Sequence, residues 1–381
     1  MQSIYIIAGE SSGDLLGAEL IQSFKKKYPL VKISGIGGPL MEKEGLMSLF
    51  PTSELSVMGL FELIPHLFHI FKRMDQTVQD ICSKKPDVVI TIDSSGFCHR
   101  VVKKLKKNIK YKNDKNIPCI HYVAPQVWAW REKRAEKLSS FLDGLLCLLP
   151  FEPPYFTKHN LKTYFVGHPL TNNLENITKG QENDVLKILL LPGSRQSEVK
   201  SLLPIFLDVI LKIEIEKPFI KKVEYYLPTL PHLESLISSL LKDKPFKIST
   251  TTNYDLKNDW FKNANFAIAA SGTVSLELSK YLIPHLIAYK MNKLTAFFVK
   301  RLIKTPYASL INILSQKEVV PECLMENCTP DYIYKKLLTL NTVNKNEMID
   351  AINKLKCPVE NKTPSDFAVQ KIEEILKDFN S

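Results

Sequence analysis

Short runs of hydrophobic residues alternate along the chain with longer stretches whose hydrophobic residues recur at helical spacing. The runs cover residues 4–8, 88–92, 119–123, 145–149, 188–191, 223–227 and 266–270. Uninterrupted hydrophobic runs of this length are typical of parallel strands that helices cover on both faces. The pattern therefore predicts an α/β fold made of βαβ units.

The same pattern predicts the first helix and a division into two domains. Hydrophobic residues at positions 16, 20, 21 and 24 predict a helix that begins near Asp14. The polar segment 171–184 lacks hydrophobic periodicity and separates two series of βαβ units. We therefore predict two doubly wound halves with a cleft between them, and we expect ligands beyond the carboxyl ends of their strands.

Length, charge and cysteine content narrow the class of protein. The 381 residues exceed one typical domain, and 45% hydrophobic with 24% charged residues predicts a folded protein. A net charge of +11 favours an anionic partner, which could be nucleic acid, a phosphorylated substrate or an acidic membrane surface. The seven cysteines, several of them within hydrophobic runs, argue against a disulfide framework and favour the cytoplasm.

The sequence lacks the usual signals of export, membrane spans, nucleic-acid binding and metal binding. It does not begin with the basic and hydrophobic regions of a signal peptide, and its most hydrophobic stretch, 57–71, is too short to span a bilayer. Neither zinc-finger spacing nor an RNP-type aromatic motif supports binding to nucleic acid. Neither a D-x-D pair nor metal-ligand spacing of His and Cys occurs, so we expect no metal.

Two strands of the second half end in turns of small residues that precede a helix. The turn residues that could bind an anion are Ser194, Arg195, Ser271, Gly272 and Thr273. Backbone N–H groups at a helix N-terminus suit phosphate oxygens, the Arg195 guanidinium could clamp a phosphate, and Glu277 could accept hydrogen bonds from ribose hydroxyls. P-loop and G-x-G-x-x-G spacings are absent from the sequence. The turns predict a nucleoside diphosphate site; the alternative is two surface turns with a solvated Arg and Glu.

Three carboxylates lie near strand ends in the first half. Asp93 follows the 88–92 run, where a carboxylate is a candidate general base or a cap for the next helix. Asp14 could cap a helix, and Glu10 could bind a hydroxylated or cationic acceptor. The neighbouring Ser11 and Ser12 lack a G-x-S-x-G context, which disfavours a hydrolase.

Two segments combine hydrophobic bulk with positive charge: GLFELIPHLFHIFKR at 59–73 and LTAFFVKRLIK at 294–304. Segments of this kind can lie in a membrane interface with their basic residues at the lipid headgroups. The alternative is that both pack in the core. Together with the net charge, they predict contact with a membrane surface.

Many motifs of the chain together resemble one enzyme family. In order from about residue 4 to about residue 330, they are AGESSGDLLGAEL, GIGGPLM, VMGLFELIP, PDVVITID, HYVAPQVWAWR, LLPFE, VGHPL, LLPGSR, ASGTVSLEL, and SLINIL followed by VVPECL. This series closely resembles the lipid-A-disaccharide synthase family.

The resemblance implies two Rossmann-like domains facing a cleft in the GT-B arrangement. Residues 1–170 would form the acceptor-binding, membrane-facing domain and residues 185–355 the UDP-sugar-binding domain, with a C-terminal helix at 356–381 returning to the first. The implied reaction is that of an inverting hexosyltransferase without cofactors: UDP-2,3-diacylglucosamine and 2,3-diacylglucosamine 1-phosphate give the β-1,6-linked lipid A disaccharide 1-phosphate and UDP. The enzyme would be peripheral on the inner face of the inner membrane, and a homodimer is allowed.

The resemblance also assigns roles to residues. Asp93 matches the essential aspartate, as the base that takes the proton of the acceptor hydroxyl. The implied donor-binding residues are Ser194, Arg195, Ser271, Gly272, Thr273, Glu277 and Asn312. The implied acceptor-binding residues are Glu10, Ser11, Ser12, Asp14, Met58, Gly59 and Glu62.

Two departures from the family pattern and two other function classes bear on these roles. Relatives commonly carry a second acidic residue shortly after the essential aspartate, where this chain has SSGF at 94–97, and they often have Gln where it has Met325. The other enzyme class with a similar donor half comprises UDP-N-acetylglucosamine epimerases and transferases for soluble acceptors. The non-enzyme alternative is a module that binds a nucleotide sugar or nucleic acid.

Overall fold

A six-stranded parallel sheet forms the centre of each of two units in the computed structural model. The structure describes residues 1–55, 63–112, 116–130, 133–172, 184–290 and 305–380. One unit comprises Met1–Pro169 together with Leu355–Ser381, and the other comprises Leu170–Lys354. The predicted α/β class with two Rossmann-like domains is confirmed.

The strands of both sheets run parallel throughout. Those of the first unit are β1 (Ser3–Ala8), β2 (Lys32–Ile36), β3 (Val88–Ile92), β4 (Cys119–Tyr122), β5 (Gly144–Cys147) and β6 (Thr163–Phe165). Those of the second unit are β7 (Val185–Leu191), β8 (Lys222–Pro228), β9 (Ile248–Thr251), β10 (Phe266–Ala270), β11 (His285–Tyr289) and β12 (Glu322–Leu324). The strand orders are β2-β1-β3-β4-β5-β6 and β12-β11-β10-β7-β8-β9.

Helices connect the strands. Those before the second sheet are α1 (Ser11–Lys27), α2 (Pro39–Lys43), α3 (Leu63–Lys84), α4 (Ser95–Lys112), α5 (Val127–Trp130), α6 (Lys133–Ser139) and α7 (Pro154–Thr157). Those that follow are α8 (Gln196–Glu216), α9 (Glu234–Leu241), α10 (Tyr254–Asn263), α11 (Val274–Lys280), α12 (Leu310–Ser315), α13 (Pro330–Leu338), α14 (Lys345–Asn353) and α15 (Pro364–Asn380). Short 3₁₀ turns lie at Thr52–Leu55, Pro169–Thr171, Pro231–Leu233, Met325–Asn327 and Leu340–Thr342.

The first sheet is buried on both faces because successive side chains of a strand point to opposite sides. In β1, Tyr5 and Ile7 belong to one hydrophobic cluster, whereas Ile4 and Ile6 belong to another. Residues buried on both faces leave no polar alternation in the strand. This burial explains the hydrophobic runs from which the strands were predicted.

The C-terminal helix α15 packs against α1 within the first unit. Its hydrophobic residues join the cluster that contains Leu20 and Phe24 of α1. The Glu373 carboxylate accepts hydrogen bonds from the Lys27 ammonium at 2.5 Å and from the Tyr28 hydroxyl at 2.6 Å. The C-terminal helix α15 thereby covers part of one face of the first sheet.

The strand order of each sheet reverses direction at one place, where two neighbouring strands send their connections to opposite sides. This place lies between β1 and β3 in the first sheet and between β7 and β10 in the second. Open α/β sheets bind ligands at such switch points, beyond the carboxyl ends of the strands. The side chains at these two positions are therefore the first candidates for a functional site.

Candidate active site

Asp93 lies at the switch point of the first sheet, directly after β3. The last residues of the neighbouring strands, Ala8 and Ile92, are paired, so the segment after β1 begins beside Asp93. Asp93 and Ser94 both have positive φ angles, 49° and 37°. Left-handed conformations of this kind cost about 1–3 kcal/mol for residues other than glycine and are enriched at functional sites. Asp93 is partly exposed.

Ser12 connects the segment after β1 to Asp93. Its hydroxyl donates a hydrogen bond to Asp93 Oδ2 at 2.9 Å. Ser12 can reach this oxygen because α1 begins at Ser11, three residues before the predicted start at Asp14. Glu10 has an extended backbone and an exposed side chain immediately before the helix, and its side chain does not cap α1.

Asp14 holds the turn before α2. Its carboxylate accepts hydrogen bonds from the backbone N–H groups of Gly38, Leu40 and Met41 at 2.9 to 3.0 Å. The side chain is 5% exposed. Of its two readings, the cap is the one that these contacts support, although the capped helix is α2 and not α1. The contacts favour a positioning role over direct contact with an acceptor.

The two predicted phosphate-binding turns follow neighbouring strands of the second sheet. Leu191 of β7 pairs with Ala269 of β10. The turn at residues 192–195 and the turn at residues 271–273 therefore leave the sheet side by side at its switch point. Two spatially adjacent turns, each followed by a helix, make a more specific anion site than either turn alone.

The Glu198 carboxylate occupies the N–H groups of the first turn. Its Oε2 accepts hydrogen bonds from the backbone nitrogens of Ser194 and Arg195 at 3.1 and 3.3 Å, and its Oε1 accepts one from the Arg195 guanidinium at 3.0 Å. Gly193 has a φ of +115°, and a Cβ there would collide with Glu198. The Arg195 side chain is otherwise 78% exposed. This turn thus already binds a carboxylate, which belongs to the protein itself.

The second turn has an open surface. Gly272 has a φ of +137°, a conformation that favours glycine, and a Cβ built on it meets nothing within 4 Å. Gly272 and Thr273 are exposed. The Ser271 hydroxyl donates to the backbone oxygen of Ala308 at 3.0 Å, so it anchors the turn to the segment that precedes α12.

Glu277 follows the second turn and forms an ion pair. Its Oε1 lies 2.7 Å from the Lys257 ammonium on α10, and both side chains are 29% exposed. Burial lowers the pKa of the neighbouring Lys280, and the charge of Glu277 opposes this shift. Glu277 therefore lies near two lysines, Lys257 on α10 and Lys280 on its own helix.

Asn312 is not placed to contact a ligand directly. It is fully buried, its amide nitrogen donates to Val320 O and Glu322 Oε1 at 2.8 Å, and its amide oxygen accepts from the nitrogens of Val319 and Val320 at 2.8 and 3.0 Å. The Glu322 carboxylate also accepts from the nitrogens of Ala308 and Ser309 at 2.8 to 3.1 Å. Since Ser271 donates to Ala308, this network supports the second turn.

Comparisons with known proteins decide the family. The lipid-A-disaccharide synthetase family matches residues 4–370. The lipid-A-disaccharide synthase of Gluconobacter oxydans is 39% identical over 389 residues, covering 98% of this chain and 91% of that protein. The lipid-A-disaccharide synthase of Rickettsia bellii is 39% identical over 369 residues, covering 93% of each. The chain belongs to the lipid-A-disaccharide synthase family.

A solved structure extends the comparison to the fold. Methanocaldococcus jannaschii UDP-GlcNAc 2-epimerase in complex with UDP-GlcNAc and UDP has a TM-score of 0.62 at 14% identity, covering 98% of this chain and all of that one. At this identity the likeness concerns the two Rossmann-like domains alone. Membership of the lipid-A-disaccharide synthase family identifies the chain as an enzyme, a hexosyltransferase of lipid A biosynthesis that acts on a sugar donor and an acceptor.

Several other residues that the resemblance to lipid-A-disaccharide synthases singles out can now be located. Ser11 is the first residue of α1, whereas Met58, Gly59 and Glu62 lie outside the described residues. The amphipathic segment 294–304 also lies outside them, and the segment 59–73 lies partly outside. Phe68 and Phe71, which continue the latter segment on α3, are 73% and 48% exposed.

The two departures from the pattern of lipid-A-disaccharide synthases have visible structural settings. Ser95 begins α4, directly after the two residues with positive φ, and Phe97 is buried with its ring edge on to Phe50 at 6.5 Å between centroids. Met325 has a φ of +52° at the start of a 3₁₀ turn. The first departure therefore spans the left-handed residue Ser94 and the first turn of α4, whereas Met325 directly follows β12.

Glu152, the acidic residue of the LLPFE motif, is buried and has no role among the predicted site residues. It follows β5, is 2% exposed, and accepts hydrogen bonds from Trp128 Nε1 at 3.3 Å and from the Leu149 nitrogen at 3.1 Å. Burial raises the pKa of Glu152 to about 8, against which these hydrogen bonds act. Glu152 thereby ties the segment after β5 to α5, which follows β4.

Neither a metal-binding cluster nor a membrane-spanning helix is found in the described part of the chain. In that part, three or more His, Cys, Asp or Glu side chains do not come together in a group that could hold a metal ion. Among the same residues, no helix is long and apolar enough to cross a membrane.

Proposed function

We propose that this enzyme transfers diacylglucosamine from UDP-2,3-diacylglucosamine to the 6-hydroxyl of 2,3-diacylglucosamine 1-phosphate. The products are the β-1,6-linked lipid A disaccharide 1-phosphate and UDP. The substrates follow from the name of the family. The observation that carries the mechanism is the position of Asp93, which is partly exposed at a switch point and oriented by Ser12.

In the proposed reaction, Asp93 accepts the proton of the acceptor 6-hydroxyl while the hydroxyl oxygen attacks the anomeric carbon of the donor. The bond from that carbon to the diphosphate oxygen breaks in the same displacement, so the configuration inverts. A carboxylate that is partly exposed beyond the strand end can play this part. The Ser12 hydroxyl orients Asp93 by donating to Oδ2, and in this proposal the other carboxylate oxygen accepts the proton.

The departing diphosphate needs positive charge and N–H donors. In this proposal Ser194, Arg195 and the turn from Ser271 to Thr273 supply them from two neighbouring strand ends, with the diphosphate replacing the Glu198 carboxylate at the N–H groups of Ser194 and Arg195. Charge stabilisation of this kind is commonly the largest single contribution to catalysis. In this proposal Glu277 binds the ribose, whereas Asn312 acts through the backbone that it supports rather than by touching the donor.

The acceptor side of the proposal involves the first unit. Glu10, Ser11, Met58, Gly59 and Glu62 would contact the acceptor, Ser12 would orient Asp93, and Asp14 would hold the turn before α2. The exposed Phe68 and Phe71, together with the basic residues of the same helix, would meet the membrane surface that holds the acyl chains. We place the enzyme peripherally on the inner face of the inner membrane, without metal or cofactor, and propose a homodimer.

Product detection by mass spectrometry tests the reaction. Wild type, Asp93→Asn and Asp208→Asn are incubated with both lipids in detergent and EDTA; Asp208 is an exposed aspartate of α8 and serves as the matched control. We expect disaccharide from wild type and Asp208→Asn, and a rate about 10²–10⁴-fold lower from Asp93→Asn. Affinity for UDP, measured by calorimetry, should be unchanged in Asp93→Asn because the second unit holds the nucleotide.

Each other outcome contradicts a stated part of the proposal. Full activity of Asp93→Asn would remove Asp93 as the base. Loss of product in EDTA alone would show that a metal is needed. If wild type binds UDP but converts UDP-GlcNAc to its 2-epimer instead of building a disaccharide, the substrates are wrong.

A further inference from the structure

Lys257 is fixed in place between two side chains of the second unit. Its ammonium lies 2.7 Å from Glu277 Oε1 and 5.0 Å from the centroid of the Phe261 ring, which is buried. A lysine side chain at a surface normally samples many rotamers, and holding one costs free energy. Here an ion pair and a cation–π contact act on the same ammonium and favour one arrangement.

Glu277 needs such a partner if it is to bind a diol. A glutamate in the first turn of a helix can turn its carboxylate in several directions, and only one of them presents an oxygen to two adjacent hydroxyls. The Lys257 ion pair uses Oε1. It therefore sets the direction of the whole carboxylate group, including Oε2.

The contacts of the neighbouring lysines explain why Lys257, and not another lysine, orients the Glu277 carboxylate. Lys280 lies on the same helix as Glu277, but its ammonium donates to the backbone oxygen of Asn172 at 3.2 Å. Lys257 comes from a separate helix, α10, and approaches Glu277 from the side. It also offsets one negative charge close to the turn at residues 271–273, where a diphosphate would add more.

We propose that Lys257 is a positioning residue for the donor nucleotide, which holds the Glu277 carboxylate in the direction that accepts the ribose hydroxyls. This proposal rests on the proposed function, in which Glu277 binds the ribose. Lys257 acts through Glu277 and does not itself touch the sugar. Its effect should therefore depend on whether the nucleotide carries the 2′-hydroxyl.

Calorimetric binding of UDP and of 2′-deoxy-UDP to the full chain tests this proposal. The variants are Lys257→Met, Lys257→Arg and Glu277→Gln, with Lys262→Met as the matched control because Lys262 is an exposed lysine of the same helix. Wild type and Lys262→Met should prefer UDP over 2′-deoxy-UDP by about tenfold, the usual scale for one hydrogen bond to a charged group. Lys257→Met should reduce that preference to less than about twofold, and Lys257→Arg should restore most of it.

The pattern across variants separates the two proposals. If Glu277→Gln removes the preference and Lys257→Met does not, the role of Lys257 is wrong and that of Glu277 stands. If Glu277→Gln leaves the preference intact, both the ribose contact and the role of Lys257 are wrong. If Lys257→Met weakens UDP and 2′-deoxy-UDP by the same factor, Lys257 acts on the diphosphate or on the fold, which also overturns the proposal.

Discussion

Ser12 and Asp93 are 81 positions apart in the sequence, yet the Ser12 hydroxyl lies 2.9 Å from Asp93 Oδ2. The contact follows from the pairing of β1 with β3, which brings their carboxyl ends together. One residue is at the start of a helix and the other has a left-handed backbone. The hydrogen bond therefore couples the two segments that leave the first sheet at its switch point.

Ser12→Ala should lower kcat about tenfold and leave the KM of the acceptor unchanged. The reason is that a hydrogen bond to a charged group contributes about 1.5–3 kcal/mol, and about 1.4 kcal/mol corresponds to a factor of ten in rate. Steady-state kinetics of Ser12→Ala and Ser12→Thr check this, since threonine keeps the hydroxyl. Ser139→Ala is the control, because the Ser139 hydroxyl donates only to its own helix, to Glu136 O. A rise in KM with kcat unchanged would instead place Ser12 in contact with the acceptor.

Glu198→Gln should strengthen UDP binding by about threefold, on the scale of an exposed ion pair. The carboxylate accepts the two N–H groups that a phosphate would use, and its charge repels the diphosphate. Glutamine keeps the shape and the acceptor oxygen but removes the charge. Calorimetry with UDP and with uridine checks the cause, because uridine has no phosphate and its affinity should not change. Equal changes for both ligands would contradict the competition.

Seven of the eight central strands could be predicted from the sequence because burial on both faces requires continuous hydrophobic runs. The strands without predicted runs are β2, β6, β9, β11 and β12. Four of them, β2, β6, β9 and β12, are the edges of the two sheets, whereas β11 is a buried central strand that was missed and begins with the polar His285. An edge strand has one neighbour and is only partly buried, so sequences such as KISGI and ISTT carry few hydrophobic residues. Because the edge strands are only partly buried, their sequences lack the continuous hydrophobic runs from which strands were predicted.

The turn after β7 could be predicted from the sequence, whereas the contacts of the acidic and amide side chains near the two turns were not predicted. The turn at residues 192–195 stands out by its glycine and arginine, and Glu198 follows at the spacing of a capping box, a signal that could have revealed its contact. Lys257 is 20 residues from Glu277 and lies on another helix, so no local pattern connects them. The partners of Asn312 depend likewise on the path of the chain between α12 and β12.

Asn312→Ala should destabilise the second unit by about 2–4 kcal/mol. The substitution leaves the buried N–H groups of Val319 and Val320 without an acceptor, and each unsatisfied group costs about 1–3 kcal/mol. Hydrogen exchange followed by mass spectrometry should show faster exchange of these two amides and of the Ala308 region. Asn327→Ala, at an exposed asparagine, is the control and should exchange like wild type. Unchanged protection in Asn312→Ala would show that the network does not depend on the amide.

The free energy of unfolding of Glu152→Gln, relative to that of wild type, should increase as the pH rises from 6.5 to 8. Because burial raises the pKa of Glu152 to about 8, the folded state binds a proton more tightly than the unfolded state, whose carboxyl has the ordinary value of 4.5. Between these two values the free energy of unfolding of the wild type must fall with increasing pH, by up to about 1.4 kcal/mol per pH unit. Glutamine cannot ionise and removes this dependence.

The pH window is chosen so that Glu152 can be separated from the buried histidines. Burial lowers the pKa of His99 to about 3, so His99 reduces stability only as the pH falls below about 6.5. Urea unfolding of wild type and Glu152→Gln at pH 6.5 and 8, followed by circular dichroism, should show the variant gaining about 1–2 kcal/mol relative to wild type. Glu136→Gln, at an exposed glutamate of α6, should show no such gain. A difference between Glu152→Gln and wild type that stays constant over this range would mean that the Glu152 carboxyl titrates alike in the folded and unfolded chains.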